Sequence, residues 1–288
     1  MKRIIAMCIA LCTVMTGFAQ VDSTGTQNEG DTIRVGGMVI IRSGKGADGK
    51  NGRHGISYRT RKVYKPSNVS TNWGIIDLGI ANYVDNTNYG SAEAQAYAPG
   101  SNENYFDLKN GKSINVNIWI VTQKVNLIKH YVNLKYGVGL ELNNYRYKAP
   151  IRYDDKPDAN LTNPPIVTLD PEVALGNRHY SKNKLAADYL TVPLMLNFNF
   201  TPNRQRAFGL SAGVSAGFLY SARNKTITSD EGKRKAKDDF DLERWKLSYV
   251  GELSLGFLKL YGSYAFKSMY KRGLDITPYT VGFRISNW

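Results

Sequence analysis

One stretch of the sequence carries the residues of a serine nucleophile. Gly213, Ser215 and Gly217 fit the G-x-S-x-G pattern, in which a sharp strand-to-helix turn exposes the serine of a hydrolase. Here the pattern lies within a longer run of alternating large and small side chains, which is typical of one continuous strand. We therefore interpret these residues as small side chains that fill the inside of a sheet.

A glycine-rich tract near the N-terminus fits two nucleotide-binding patterns incompletely. Gly44, Gly46 and Gly49 have G-x-G-x-x-G spacing, and Gly44, Gly49 and Lys50 approach a phosphate-binding loop, in which Asn51 replaces the required Ser or Thr. Both patterns need a helix after the glycines, whereas further helix-breaking residues follow here. The sequence predicts no cofactor and no nucleic-acid partner.

The three histidines offer little catalytic chemistry. His54, His130 and His179 have no metal-ligand spacing, and none is accompanied by a suitable serine and aspartate. We predict that the protein is not an enzyme and holds no metal. An enzyme that acts on lipid or peptide stays open as an alternative, for which only His179 lies in a suitable connection.

The elements that position these residues are predicted to be strands. From Trp73 onward, apolar residues alternate with small or polar ones in eight segments, which indicates strands with one apolar face. The segments are Trp73–Tyr83, Ser113–Val125, Tyr131–Tyr147, Tyr189–Phe200, Phe208–Phe218, Lys246–Leu255, Leu258–Lys267 and Tyr279–Ser286. The connections alternate between long and short, the long ones covering about 84–112, 148–188 and 224–244. This alternation favours an all-β, eight-stranded antiparallel up-and-down transmembrane β-barrel with both barrel ends in the periplasm.

The composition of the two faces distinguishes a membrane barrel from a soluble one. The non-apolar rows are rich in Gly, Ser and Asn, which suit the narrow inside of an eight-stranded barrel, so we expect a Ser at Gly139 to be tolerated. A soluble lipocalin-like carrier stays open as an alternative, and the alternative enzyme acting on lipid or peptide would be an outer-membrane barrel. The charged residues predicted to point inward and pair are Asp77, Lys135, Glu141, Lys246, Glu252, Lys259, Lys267 and Arg284. Aromatic residues predicted to lie in the interface girdles are Phe198, Phe200, Phe208, Phe257 and Trp288 at one end, and Tyr83, Tyr145, Tyr147, Tyr220, Trp245 and Tyr270 at the other.

Residues 1–72 precede the strands. Residues 1–19 begin with basic residues, continue with an apolar run and end with small residues at the expected signal-peptidase cleavage site. They are predicted to be a signal peptide. Both cysteines lie in this segment, so the fold is predicted to have no disulfide. Residues 20–72 are poor in core residues and are predicted to form a flexible or partly extended periplasmic extension.

The segment 73–288 resembles a family of small outer-membrane barrels of Bacteroidetes that includes the PorT-like proteins and outer membrane protein β-barrel domains. The resemblance rests on WGIIDLGIANY from Trp73, YVNLKYGVGLELNNYRY from Tyr131, LTVPLMLNF from Leu190 and FGLSAGVSAGF from Phe208. It implies a barrel inserted by the outer-membrane assembly machinery. The function expected is that of a membrane scaffold, surface or secretion-accessory protein, with a possible periplasmic partner for the extension.

The net charge of +14 indicates acidic partners, such as lipid phosphates. Basic residues collect at the predicted outer strand ends, where lipopolysaccharide presents its phosphates, and arginine can bind phosphate in a forked geometry. The predicted phosphate-binding residues are Arg146, Lys148, Arg178, Lys182, Arg223, Lys225, Lys271 and Arg272. A solvated basic rim without a ligand is the alternative.

Overall fold

The computed structural model describes residues 32–35, 38–41, 66–158, 160–202 and 208–285. The predicted signal peptide (1–19), the glycine-rich tract with His54, and Trp288 lie outside these residues. In the N-terminal part, β1 (Thr32–Val35) and β2 (Met38–Ile41) form an antiparallel pair. The predicted 20–72 extension therefore contains some regular structure.

The rest of the described chain is dominated by strands. They are β3 (Val69–Asp85), β4 (Ile114–Ile128), β5 (Val132–Arg146), β6 (Ile151–Tyr153), β7 (Val167–Leu169), β8 (Tyr180–Asn199), β9 (Phe208–Thr228), β10 (Gly232–Ala236), β11 (Trp245–Leu255), β12 (Leu258–Ala265) and β13 (Ile276–Ile285). All of them except β6, β7 and β10 form a ring in which neighbouring strands are antiparallel, and β13 pairs with β3 to close it. The predicted eight-stranded up-and-down barrel is confirmed.

Side chains in most of the ring alternate as the sequence predicts. On β3, Leu78 points outward and is 45% exposed, whereas Asp77 points inward and is fully buried. Leu194 and Thr191 on β8 repeat the arrangement, at 51% and 3% exposed. We call this part of the ring, with its apolar outside and polar inside, the band.

A bulge changes the alternation at one level of the band. Gly74 on β3 has φ +65°, and Ile120 on β4 has no paired residue opposite it. An extra residue shifts the following side chains to the other face. Gln123, predicted to point inward, therefore lies on the outward row, where its side chain bonds to those of Thr71 and Tyr136.

The connections at the two ends of the ring differ in length and structure. Those at one end, the turn end, are short. Those at the other, the loop end, are the long connections 86–113, 147–179 and 229–244 and the shorter 266–275. They contain α1 (Ala92–Tyr97), a 3-10 turn (Asn110–Lys112), α2 (Pro171–Ala174) and the strands β6, β7 and β10. β8 and β9 run further into this end than the sequence predicted, and β10 pairs with the end of β9.

An apolar core fills the ring at the loop end. Phe106 and Phe240 pack edge-on against the rings of Tyr147 and Tyr153, respectively. The hydroxyls of Tyr147, Tyr153 and Tyr270 form a chain with two O–O distances of 2.7 Å. Burial raises the pKa of Tyr153 well above its usual value. We call this core, the loop-end connections and the strand ends around it the dome.

The dome inverts the polarity of the band, and this corrects part of the girdle prediction. Tyr83, Tyr145, Tyr147 and Tyr270 were expected at the membrane interface, but their side chains belong to the dome core or pack against it. An apolar inside and a polar outside are what water around the ring requires. Among the loop-end aromatics, Trp245 and Tyr220 do point outward, at 58% and 50% exposed. At the turn end, Phe198, Phe200, Phe208 and Phe257 are exposed as predicted.

Gly139 on β5 lies so close to β4 that the structure leaves no room for a Cβ atom there. A Cβ atom built there would lie 2.7 Å from the carbonyl oxygen of Ile118 and 2.7 Å from the Trp119 ring. The expectation that Ser is tolerated at this position is therefore wrong, because the backbone of β4 approaches it too closely for any larger side chain.

Candidate functional site

In the described part of the chain, Ser215 and His179 do not form a catalytic site. Ser215 is buried within β9, inside the band, with no turn to expose it. His179 is exposed just before β8, and its backbone N–H donates to Ser229, but within the described ranges no serine or carboxylate forms a hydrogen bond or ion pair with its imidazole. Among the described residues, no three His, Cys, Asp or Glu side chains are grouped to hold a metal ion. No helix in the same residues is long and apolar enough to cross a membrane.

The charges inside the band form a paired network, as predicted. Arg284 on β13 donates from Nε and Nη2 to the two carboxylate oxygens of Asp77 on β3, at 2.7 and 2.9 Å. Its Nη1 donates to Glu252, which also accepts from Lys135. Trp119 adds a hydrogen bond of 2.6 Å from its indole N–H to Asp77. Buried charges of opposite sign that share hydrogen bonds in this way compensate each other's loss of hydration.

A second part of the network lies closer to the dome. Lys246 pairs with Glu141, and both are buried. Asn143 donates to Glu141 at 3.0 Å and accepts from Asn115 at 2.8 Å. The cavity left between the two parts has a volume of about 30 Å³, so the barrel interior is filled, as eight strands require. Lys267 is an exception to the prediction, since it is exposed at the loop end and pairs with Glu243.

The predicted phosphate-binding residues fall into two groups. Four of them are engaged by carboxylates of the loop-end connections: Lys148 by Asp107, Arg178 by Asp170, Asp230 and Glu231, Lys271 by Asp239, and Arg272 by Asp241. Their charges are thus already matched within the chain. The other four, Arg146, Lys182, Arg223 and Lys225, lie on one outward surface.

Arg178 holds three segments of the dome together. It bonds Asp170 at the start of α2 at 2.8 Å, and Asp230 and Glu231 in the turn between β9 and β10 at 2.8 Å each. The hydrogen bond from Arg178 keeps the pKa of Asp230 below its usual value. Burial alone would raise the pKa of Asp170, but hydrogen bonds from Tyr180 and Arg178 outweigh it and lower that pKa. We call this group the loop clamp.

The second group belongs to a row of cations that crosses four strands. Arg146 on β5 is the register partner of Lys184 on β8, Lys184 that of Lys225 on β9, and Lys225 that of Lys235 on β10. The cationic face consists of these four residues and their neighbours Lys182, Arg223 and Lys233. Only Arg223 in this set has a carboxylate partner among the described residues, Asp188 at 2.5 Å.

Such a row is electrostatically unfavourable by itself. Directly opposed side chains in antiparallel strands have Cβ atoms about 4.5–5.5 Å apart, and like charges there destabilise the pairing. Burial and then the nearby Lys233, Lys182 and Lys235 lower the pKa of Lys225. The repulsion is relieved if an anion binds between the side chains.

The cationic face begins where the apolar outward rows end. On β5 the outward row changes from Leu140 and Leu142 to Asn144 and Arg146. On β9 it changes from Phe218 and the exposed Tyr220 to Arg223 and Lys225. The cations therefore lie just beyond the aromatic level of the band. Lys233 and Lys235 are absent from the predicted set, because residues 224–244 were predicted to be a connection and the GKRKA run of β10 shows no alternation of apolar and polar residues.

A closed ring with an apolar exterior and a charged, filled interior is the arrangement of a membrane-spanning β-barrel, because lipid makes an apolar exterior favourable. Residues 80–271 match the outer membrane protein beta-barrel domain, and the chain belongs to this family. It is thus an outer-membrane β-barrel protein.

The crystal structure of Ail, the attachment invasion locus protein of Yersinia pestis, is 10% identical to this chain, covers 75% of it and 98% of Ail, and superposes with a TM-score of 0.29. No curated protein matches this sequence.

Proposed function

We propose that this protein is a non-enzymatic scaffold or surface protein of the outer membrane, whose cationic face binds lipopolysaccharide phosphates. The observation that carries the proposal is the row Arg146, Lys184, Lys225 and Lys235, four register-paired cations without a carboxylate partner among the described residues. The row lies directly beyond the aromatic level of the band. Lipid phosphates occupy that height when the loop end faces outward.

The chemistry of the row suits phosphate. A phosphate group accepts several charge-assisted hydrogen bonds, which contribute about 1.5–3 kcal/mol each when partly removed from water. Arg146, whose Nη2 also donates to the backbone oxygen of Ser181 at 2.8 Å, supplies guanidinium N–H donors, and the lysines supply point charges on flexible stems. The filled band and the packed dome favour a scaffold over a channel. A secretion-accessory role, PorT-like specificity, assembly-machinery insertion and a partner for residues 20–72 stay predictions.

The test compares two variants with the same change of charge. In the first, Arg146, Lys184, Lys225 and Lys235 are replaced by Gln. In the second, the same replacement is made at four lysines outside the face, Lys109, Lys112, Lys129 and Lys156. Fluorescently labelled lipopolysaccharide is titrated onto each refolded barrel in zwitterionic detergent. We expect the first variant to bind at least tenfold more weakly than the parent, and the second within twofold of it.

Two outcomes contradict the proposal. An equal loss of affinity in both variants would mean that net charge attracts the lipid without a defined site. Undiminished binding of dephosphorylated lipopolysaccharide by the parent would mean that phosphate is not the group recognised. Heat-modifiable gel migration, measured for each protein, checks that the barrel is closed.

A further inference from the structure

A cleft with a volume of about 500 Å³ lies between the loop-end half of β3 and the connection 86–113. It is outside the cationic face and outside the interior network. The polar residues along it include Asn82, Asn102, Glu103, Asp107 and Asn110. Concave sites of this size with convergent polar groups are typical binding sites for small ligands.

One wall of the cleft is aromatic and held in place. Tyr89 is half-buried, and its ring stacks on that of Phe106, with the centroids 6.3 Å apart and the planes 18° from parallel. The Tyr89 hydroxyl donates to Asp85 at 2.5 Å. Because this stacking and this hydrogen bond already hold the Tyr89 ring, a ligand can pack against it with little loss of side-chain entropy.

Only some of the polar side-chain atoms in the cleft form hydrogen bonds within the chain. The Asn82 side-chain oxygen accepts from the backbone N–H of Tyr83, and that of Asn102 accepts from the backbone N–H of Asn104. Each bond leaves the amide –NH₂ group as a donor available to a ligand. No described residue bonds to the side chain of Asn110 or to the carboxylate of Glu103.

The carboxylates in and around the cleft are mostly occupied. Asp85 accepts from the backbone N–H of Thr87 and from Tyr89, and Asp107 pairs with Lys148 at 2.9 Å. Asp85 keeps its charge, because both of its donors are neutral, but its oxygens are already hydrogen-bonded within the chain; the carboxylate of Glu103 is the one in the cleft lining without a hydrogen-bond partner. The available groups are therefore neutral amides, this carboxylate and an aromatic wall.

We propose that the cleft binds a neutral saccharide unit. The amides and Glu103 would supply the mixed donors and acceptors that vicinal hydroxyls need, and Tyr89 would pack against the apolar face of the sugar ring. This inference goes beyond the proposed function, because it uses other residues and requires no phosphate.

Saturation-transfer NMR tests the proposal. The probes are methyl α-glucopyranoside, methyl α-galactopyranoside and N-acetylglucosamine, each added to the refolded full chain in a zwitterionic detergent that contains no sugar. We expect a signal from at least one probe, reduced at least fivefold in Tyr89→Ala and in the exposed Asn110→Ala. Tyr89→Phe keeps the ring and should retain most of the signal. Tyr131→Ala, which removes an exposed tyrosine at the turn end, should not change it.

Three results would overturn the inference. The first is the absence of transfer from all three sugars, and the second is an unchanged signal in both alanine variants of the cleft. The third is binding of trilysine, lost in Glu103→Gln, where no sugar binds; the cleft would then be a site for cationic peptide. The four Gln substitutions in the cationic face should leave sugar binding intact, so failure of one proposal is distinguishable from failure of the other.

Discussion

Arg284, in the last strand of the ring, and Asp77, in the first, are register partners and form a two-pronged ion pair with N–O distances of 2.7 and 2.9 Å. Both side chains are almost completely removed from solvent, at 4% and 0% exposed. The pair spans the seam where β13 meets β3. The residues that close the ring are therefore also the centre of its interior network.

Replacing Asp77 with Asn should destabilise the barrel strongly. The substitution leaves the Arg284 guanidinium buried with less compensation, and breaking one partner of a buried pair costs about 3–5 kcal/mol. Equilibrium urea unfolding in lipid vesicles measures the free energy. Lys267→Gln removes one partner of an exposed pair and should cost no more than about 1 kcal/mol. A similar small cost for both substitutions would contradict a central role for the Arg284–Asp77 pair.

An arginine at Leu140 should impair insertion, because this residue lies on the outward row of the band. A lipid-facing cation near the midplane costs about 2–4 kcal/mol. The matched substitution is Val84→Arg, which also points outward, at 38% exposed, but lies beyond the apolar rows on β3. The yield of folded barrel in vesicles should fall for the first variant only. Equal yields would mean that the outward row at Leu140 does not face lipid.

Gly139→Ser should destabilise the barrel by about 1–3 kcal/mol through overpacking. The added side chain meets the β4 backbone and the Trp119 ring at 2.7 Å. Gly111→Ala is the control, since no heavy atom lies within 4 Å of its added Cβ. Urea unfolding of the two variants measures the difference. A Gly139→Ser barrel as stable as the parent would show that β4 and β5 can separate at this level without cost.

The loop clamp should open only in strong acid. The pKa values of Asp170 and Asp230 are lowered in the folded protein, so their stabilisation is complete above the unfolded value of about 3.9 and is lost as pH falls through the folded values. Hydrogen exchange of the Ser229 backbone N–H, which donates to the carbonyl oxygen of His179 at 3.0 Å, measures opening when its rate is normalised to that of an unstructured peptide at the same pH. Its protection should be the same at pH 7 and pH 4 and lower at pH 2, and Arg178→Gln should reduce it at all three. Loss of protection in the parent at pH 4 would mean that the clamp does not hold the turn.

Much of the band could be predicted from local pattern. Successive side chains of a strand point to opposite faces, so the alternation around Leu78 and Leu140 determined both the strands and their outward rows. The alternation of long and short connections determined the up-and-down order. The same local rule placed Arg284 and Asp77 inside, since residues of the polar rows have no other position in a narrow barrel.

The dome and the grouping of the cations were decided by tertiary structure. Tyr145 continues the inward row of β5, yet its aromatic character favoured an interface position. Its burial depends on Tyr83 and other dome residues distant in sequence. In the same way, Lys184 and Lys235 become part of one row only through the pairing of β8, β9 and β10. Local alternation predicts which residues share a face of one strand. It does not predict whether lipid or water surrounds a given part of the ring. That depends on how far each strand extends and on which distant segments pack inside the ring.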